Sequence, residues 1–435
     1  MTTRLAHFTQ RARESVAEQF TALMGLLSEP EGLYESYRSL AKNKAPGVDG
    51  MTKEEYGENV HERLEDLSGR LRRLAYRPKP TRRVYIPKRE NGQRALGIPS
   101  FECKIVEDRL SRILQAIWEP EFRNCSYGFR PGRNAHQALR RLAQVITCER
   151  TQFVVEADIK KFYDTLSHEH MMRFLRHRIK DSCFLRILHR FLKAGIMEEG
   201  VIHPSEKGTP QGGLVSPVLS NIYLHYVLDV WFEKRVAPRC KGKAFLVRYA
   251  DDFVVCFQSE EEAKRFRKEL EDRLSQFGLE IEPGKTAVLR FGSGAERHCI
   301  KDGDKRPKVF NFLGFTHYVT QSRQGHFKVG RKTQRQRVQE KLKALNLKLS
   351  RMRVVGGAAM MRYVRQHVEG HIQYYGVSDN LRAVRVYICQ AGRLLYKWLN
   401  RRSQKRSINW EDFKPVVGRL MPRARIVHRF YPLYA

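Results

Sequence analysis

The sequence predicts an α+β fold: a body of short strands and helices followed by a basic, all-helical region. Three observations predict it. Two runs, FVVEADI at Phe153 to Ile159 and FLVRYADDFVVCF at Phe245 to Phe257, are rich in the branched and aromatic residues that strands favour. Arg82 to Pro99 alternates like a hairpin about Glu90-Asn91-Gly92-Gln93. From Gln321 to Ala435, 26 Lys and Arg stand against 5 Asp and Glu, and apolar residues recur there at helical spacing. At 435 residues the chain should fold as two or three packed units with ample core.

In chain order, residues 4 to 42 carry helical patterning, with Phe20, Leu23, Leu26 and Leu27 at face spacing, until Pro46-Gly47 breaks it. Glu54 to Ala75 reads as one or two basic amphipathic helices. In the hairpin that follows, Lys88 and Arg94 lie on opposite sides of the Asn-Gly turn, where both can reach one phosphate chain or simply be solvated. Ser126 to Leu139 sets Tyr127, Phe129, Arg130 and Arg133 in one loop running into a helix. That mixture suits phosphate and base-stacking contacts, though the two rings can equally be core plugs.

Beyond the first strand, Asp164 is read as the cap of a helix starting near Ser167. Thr209-Pro210-Gln211-Gly212-Gly213 makes a turn, and Leu214 to Val230 reads as a buried helix. The second β-type run folds on itself about Tyr249-Ala250-Asp251-Asp252. Glu260 to Phe277 reads as a charged helix and Leu279 to Leu289 as strand, turn and strand, with Lys285 a backbone-phosphate or primer-end contact. Val338, Leu342, Leu345, Leu349 and Met352 mark one packed face of a basic helix. Helices around Met360 to Tyr375 and Leu381 to Arg402 complete a three-helix unit ending in the run Arg401 to Arg406.

The doubled acid carries the chemistry. Two adjacent carboxylates between apolar strands repel each other and lose hydration unless a cation sits between them and a third ligand; the plain alternative is a solvated Asp-Asp turn. Asp158, at the end of the other β-type run, offers that third ligand. Carboxylates on two neighbouring strands can hold the two metal ions that nucleotidyl transfer uses.

The blocks FVVEADIKKFYD, GTPQGGLVSPVLSNIYL and RYADD, in that order, resemble the reverse transcriptases, and more narrowly the proteins encoded by bacterial group II introns. GVDG at Gly47 to Gly50, RRVYIPKRENGQRALGIPS, SYGFRPGRNAHQAL, GLEIEPGKT and FLGF fall in the matching order, and GHIQYYG at Gly370 to Gly376 is similar to the family's maturase region. The resemblance implies a right-hand polymerase, with an N-terminal extension at residues 1–50, fingers at 51–150 and an antiparallel palm sheet at 151–320. A helical thumb and maturase domain would follow at 321–435.

It also implies a site. Asp158, Asp251 and Asp252 would be catalytic, and together with Ile159 would hold two Mg²⁺ ions, with Mn²⁺ a possible substitute. Lys88, Arg94 and Gln211 would bind the incoming dNTP, and Phe162 or Tyr163 would exclude a 2′-hydroxyl, one of the pair only packing below the sheet. Arg130, Arg133, Gly213, Lys285, Leu313 and Gly314 would line the template and primer path, with core packing the alternative for Phe312 and Phe315. The expected partners are an RNA template, a DNA or RNA primer, group II intron RNA and target DNA. Because the sequence stops soon after the basic region, no endonuclease segment and no second-strand nicking are expected.

A net charge of +34 fits a polyanionic partner, and 10% aromatic content argues against a merely disordered basic tail. The eight cysteines show no CxxC spacing, so neither zinc nor disulfides are expected. No apolar run suits a membrane span, which leaves a cytoplasmic protein, associated with nucleoid or ribonucleoprotein, as the expectation. The expected function is RNA-directed DNA synthesis with assistance to intron splicing and mobility. The alternatives are a splicing cofactor with a vestigial polymerase, or an intron-derived enzyme recruited to host defence or DNA repair.

Overall fold

A four-stranded antiparallel sheet, in the order β6-β7-β3-β8, organises the computed structural model, which describes residues 3–88, 92–301, 303, 306–401 and 408–430. Its strands are β3 (Phe153–Asp158), β6 (Phe245–Tyr249), β7 (Asp252–Phe257) and β8 (Ala287–Arg290). Both faces are buried. Val155, Ala157, Leu246, Phe253, Val255 and Phe257 enter one core, and Val154, Val247, Val254, Cys256 and Leu289 enter a second core on the other side. This explains why the strands read as nearly continuous apolar runs rather than alternating ones.

The fingers hairpin pairs β1 (Thr81–Lys88) with β2 (Gly92–Ile98), Val84 facing Leu96. The sheet grows through β4 (Ile196–Glu198), parallel to β1, and β5 (Val201–His203), in the order β2-β1-β4-β5. Behind it lies the helix Phe101–Trp118, one side of which is buried along its length. A third sheet, β11-β10-β9, comprises β9 (Phe310–Phe312), β10 (Phe315–Gln321) and β11 (Phe327–Thr333). β10 and β11 pair across the 320/321 division expected between palm and basic region, and β11 leads directly into the helix Arg335–Arg351.

Several local expectations change. The N-terminal stretch is three helices, Thr3–Glu14, Leu23–Leu27 and Pro30–Ser39, because Phe20 leaves helical geometry to form a bridge with Ile179, and Pro30 starts a new turn. Asp164 does not cap the helix His168–Arg176; Ser167 does, its hydroxyl accepting from the His170 N–H. Leu279 to Ile281 makes only one bridge, Ile159 with Ile281, followed by a short 3₁₀ turn at Pro283–Lys285. The buried helix begins at Ser216 and widens into a π turn over His225–Asp229.

The basic helical unit has a fourth member, Trp410–Leu420, beside Arg335–Arg351, Gly357–Tyr375 and Leu381–Asn400. Of the expected packed face of its first helix, Leu345 and Leu349 are buried, while Val338 and Leu342 are half-buried. Met421 to Phe430 then runs back along this unit, the Val427 and His428 N–H groups donating to the Gly376 carbonyl, and meets the body where the His428 ring stacks on His136. Residues 402–406 of the basic run lie outside the described residues.

Candidate active site

The three acids meet where β7 leaves the hairpin turn. Asp158 and Asp252 are direct partners across the β3–β7 ladder, and Asp251 occupies the two-residue turn between β6 and β7. Ala250, the other turn residue, has φ +57°. Such a backbone is unusual for a side chain with a Cβ and has to be held by its surroundings.

An internal network holds it. Arg248 and Asp229 are both fully buried, and the guanidinium donates from Nε to Asp229 Oδ1 at 2.8 Å and from Nη2 to Oδ2. Its Nη1 reaches the Ala250 carbonyl and Asn221 Oδ1, each at 3.0 Å. Asn221 in turn donates to the Gly128 carbonyl at 2.8 Å. Gly128 lies so close that a Cβ there would come within 2.4 Å of the Ala250 nitrogen. Sequence reasoning missed this network. Its signal was present, in charged and amide residues, Asn221, Asp229 and Arg248, standing inside otherwise apolar runs.

Burial raises the Asp252 carboxyl to about 7, and the charges of Asp251, Asp158 and Glu156 push the same way, while a hydrogen bond from the Leu313 N–H opposes them. Glu156, also missed, is raised to about 7 by burial and by Asp158. Such crowding of like charges is relieved by a cation. Among the described residues no group of three or more His, Cys, Asp and Glu side chains is placed to hold a metal ion by itself. Magnesium does not require one, since it binds through one or two carboxylates and completes its shell with water and substrate phosphates. The donors present therefore fit hard divalent ions. Ile159 can offer a metal only its carbonyl, and the bridge to Ile281 uses the Asp158 carbonyl and Lys160 N–H instead.

The hairpin tip Leu313-Gly314, with φ +48° and +80°, abuts the acids, and the Tyr374 hydroxyl donates to the Leu313 carbonyl at 2.9 Å. Phe312 and Phe315 are core residues. A Cβ on Gly314 would sit 3.0 Å from the Tyr375 hydroxyl, so its smallness serves packing against that ring.

Other expected contacts are also redirected. Arg130 is buried, its guanidinium paired with Glu119 and donating to the Arg123 and Ser126 carbonyls, so it fixes the loop and does not meet template. Arg133 is half-buried near Asn124 Oδ1, at 2.8 Å. Tyr127 is buried, whereas Phe129 is 52% exposed at φ +55° with its ring 6.4 Å from that of Tyr249. Lys285 lies on the acid cluster, 3.2 Å from Asp158 Oδ2.

Phe162 is buried edge-on to Tyr223 and cannot gate a nucleotide. Tyr163 is half-buried, its hydroxyl 3.5 Å from Ser220 Oγ and its carbonyl accepting from the Thr209 N–H at 2.7 Å. That bond joins it to the turn carrying Gln211. The Gln211 carbonyl accepts from the Gly97 N–H on β2 at 2.7 Å, which ties the turn to the fingers hairpin. Gly213 is buried, its missing Cβ leaving room for Ser216 Oγ and Glu107. Lys88 and Arg94 lie on β1 and β2; their side chains fall outside the described residues.

The sequence profile of the reverse transcriptase (RNA-dependent DNA polymerase) family matches residues 86–317, which includes all three acids, the Gln211 turn and the Leu313 hairpin. The chain belongs to the reverse transcriptase family. Protein YkfC of Escherichia coli (strain K12) is 32% identical over 340 residues, 71% of this chain and 85% of that protein. The group II intron-encoded protein LtrA of Lactococcus lactis subsp. cremoris is 35% identical over 222 residues, 51% of this chain and 37% of LtrA. The putative COX1/OXI3 intron 1 protein of Saccharomyces cerevisiae is 28% identical over 303 residues, 59% of this chain and 36% of that protein. The chain thus spans most of YkfC but little more than a third of the two intron proteins. No described helix is long and apolar enough to cross a membrane.

Proposed function

We propose that the protein extends a primer on an RNA template with deoxynucleotides, and that it also binds group II intron RNA in support of splicing and mobility. The observation that carries the reading is the pairing of Asp158 with Asp252 across the β3–β7 ladder, with Asp251 in the adjoining turn, in a chain whose Gln211 turn is hydrogen-bonded both to Tyr163 and to β2. The chemistry that bound Mg²⁺ would supply there is activation of the primer 3′-hydroxyl and neutralisation of charge on the triphosphate. Asp158, at the end of β3, and Asp251, in the β6–β7 turn, would hold the ions, with Asp252 assisting. Lys88 and Arg94 reach the triphosphate from the hairpin, and Gln211 touches the nucleotide. The remaining work is alignment, which a rigid turn on a doubly buried sheet supplies. The basic last quarter, +21 from 26 cations and 5 acids, grips duplex and intron RNA through phosphates.

The test is extension of a DNA primer on an RNA template with Mg²⁺ and either dNTPs or rNTPs. Extension with dNTPs alone supports the reading. No extension despite tight, salt-sensitive RNA binding would favour a splicing cofactor without polymerase activity.

Three residue-level expectations accompany this reading. Tyr163→Ala removes the half-buried ring proposed to lie under the sugar, so the dNTP-to-rNTP ratio of kcat/KM should fall by roughly 10²-fold. Phe162→Ala should leave that ratio alone and instead destabilise the fold by about 3–5 kcal/mol, as a buried ring does when truncated. Steady-state kinetics beside thermal unfolding separates the two residues, and an unchanged ratio in Tyr163→Ala would remove it as the gate. Phe129, exposed beside Tyr249, is the ring of its loop able to stack on a base. Phe129→Ala should weaken primer-template binding by about 1–3 kcal/mol, read by fluorescence anisotropy. Unchanged affinity would take Phe129 off the nucleic-acid path.

A further inference from the structure

Glu107 interrupts the buried stripe of the helix Phe101–Trp118, lying between Cys103 and Leu110 one turn away on either side. It is 4% exposed, and among the described residues it forms no ion pair. Its partners are backbone N–H groups. Oε2 accepts from Leu214, and the carboxylate also accepts from Val215, the two residues that lead into the helix Ser216–Leu224. That helix has no side-chain cap of its own, and the carboxylate from another helix binds the amides that lead into it, close to the N-terminus, where the helix dipole favours negative charge.

A buried carboxylate without a cationic partner is a poor way to stabilise a fold. An apolar residue of similar size would continue the stripe at no desolvation cost. What Glu107 does instead is fix a turn. Thr209 to Gly213 is held upstream by the His168 ring on the Gly208 carbonyl at 2.6 Å. It is held in the middle by the Gly97 N–H on the Gln211 carbonyl at 2.7 Å. At its end Glu107 is the clasp, and Gly213 lies so close that a Cβ there would come within 3.2 Å of Oε2 and 2.9 Å of Ser216 Oγ.

We propose that Glu107 is a positioning residue of the nucleotide site, clasping the turn that presents Gln211 and thereby setting affinity for the incoming dNTP. The proposal rests on the polymerase reading above. Glu107 touches neither substrate nor metal in this arrangement and acts through the Leu214 and Val215 amides.

The experiment is primer extension on an RNA template with wild type, Glu107→Ala and Glu107→Gln, measuring KM for dNTP, kcat, primer-template affinity and melting temperature. Glu107→Ala should raise KM for dNTP roughly tenfold, with kcat and primer-template affinity nearly unchanged, from the loss of hydrogen bonds to a charged acceptor. Glu107→Gln keeps one acceptor oxygen and should recover most of the loss. Should Glu107→Ala not fold, Gly213→Ala carries the same test, because its methyl would press on the clasp, 2.9 Å from Ser216 Oγ and 3.2 Å from Glu107 Oε2: a raised KM with kcat intact supports the proposal, and an unchanged KM overturns it. An unchanged KM in Glu107→Ala overturns it too, as does a joint fall of kcat, primer-template affinity and melting temperature, which would mark a purely structural role. Absence of synthesis in wild type would instead remove the polymerase reading.

Discussion

Asp251→Asn should reduce RNA-templated DNA synthesis by at least about 10³-fold while leaving RNA binding close to wild type. The substitution keeps size and shape and removes one negative charge. In the hairpin that charge lies in the turn beside Asp252 and near Asp158, whose mutual repulsion a divalent ion must balance. With one carboxylate gone, the remaining pair holds the ions less well and in altered positions, and both activation of the 3′-hydroxyl and charge neutralisation suffer. The fold should suffer little, because Asn keeps the size and shape of Asp and eases the repulsion with Asp252, so the melting temperature should stay close to wild type. RNA affinity comes from phosphate contacts across a basic surface and is insensitive to one acid in the cleft. Incorporation of labelled dNTP, anisotropy with a labelled RNA and thermal unfolding, run on one preparation, check all three. Substantial synthesis by the Asp251→Asn protein would overturn the site.

The acids themselves were legible because the two β-type runs and the intervening Gln211 turn keep recognisable spacing along the chain. The hairpin register then follows from pattern, since an apolar strand buried on both faces tolerates few alignments. What the sequence could not show was direction. Arg130 reads as a cation in a loop of aromatics, yet Glu119 and two carbonyls turn it inward, and the exposed member of that loop is Phe129. Phe162 and Tyr163 are adjacent, so spacing alone leaves either ring as the gate; only packing against Tyr223 separates them. Gly213 and Gly314 mark close approaches, but whether the neighbour is nucleic acid or protein depends on Glu107 and Tyr375, distant in sequence. Arg248 and Asp229 are legible in a weaker sense. A charge inside an apolar run announces that it needs a partner without naming it.

That pair carries the last expectation. Asp229→Ala should destabilise the protein by roughly 3–5 kcal/mol, because it leaves the Arg248 guanidinium buried and without its counter-charge. The cost is not confined to stability. Arg248 also holds the Ala250 carbonyl and Asn221, and Ala250 precedes Asp251 in a turn whose positive φ has to be maintained against strain. Asp229→Ala should therefore lose synthesis as well, even at temperatures where it is folded. The double variant Asp229→Leu, Arg248→Met distinguishes the two effects. Removing both charges should restore most of the stability, as apolar replacement of a buried pair commonly does. The turn would still lack its anchor, so kcat should stay well below wild type. Recovery of kcat together with melting temperature would mean that the ion pair serves the core alone and that Gly128 and Asn221 suffice to hold the acids in place.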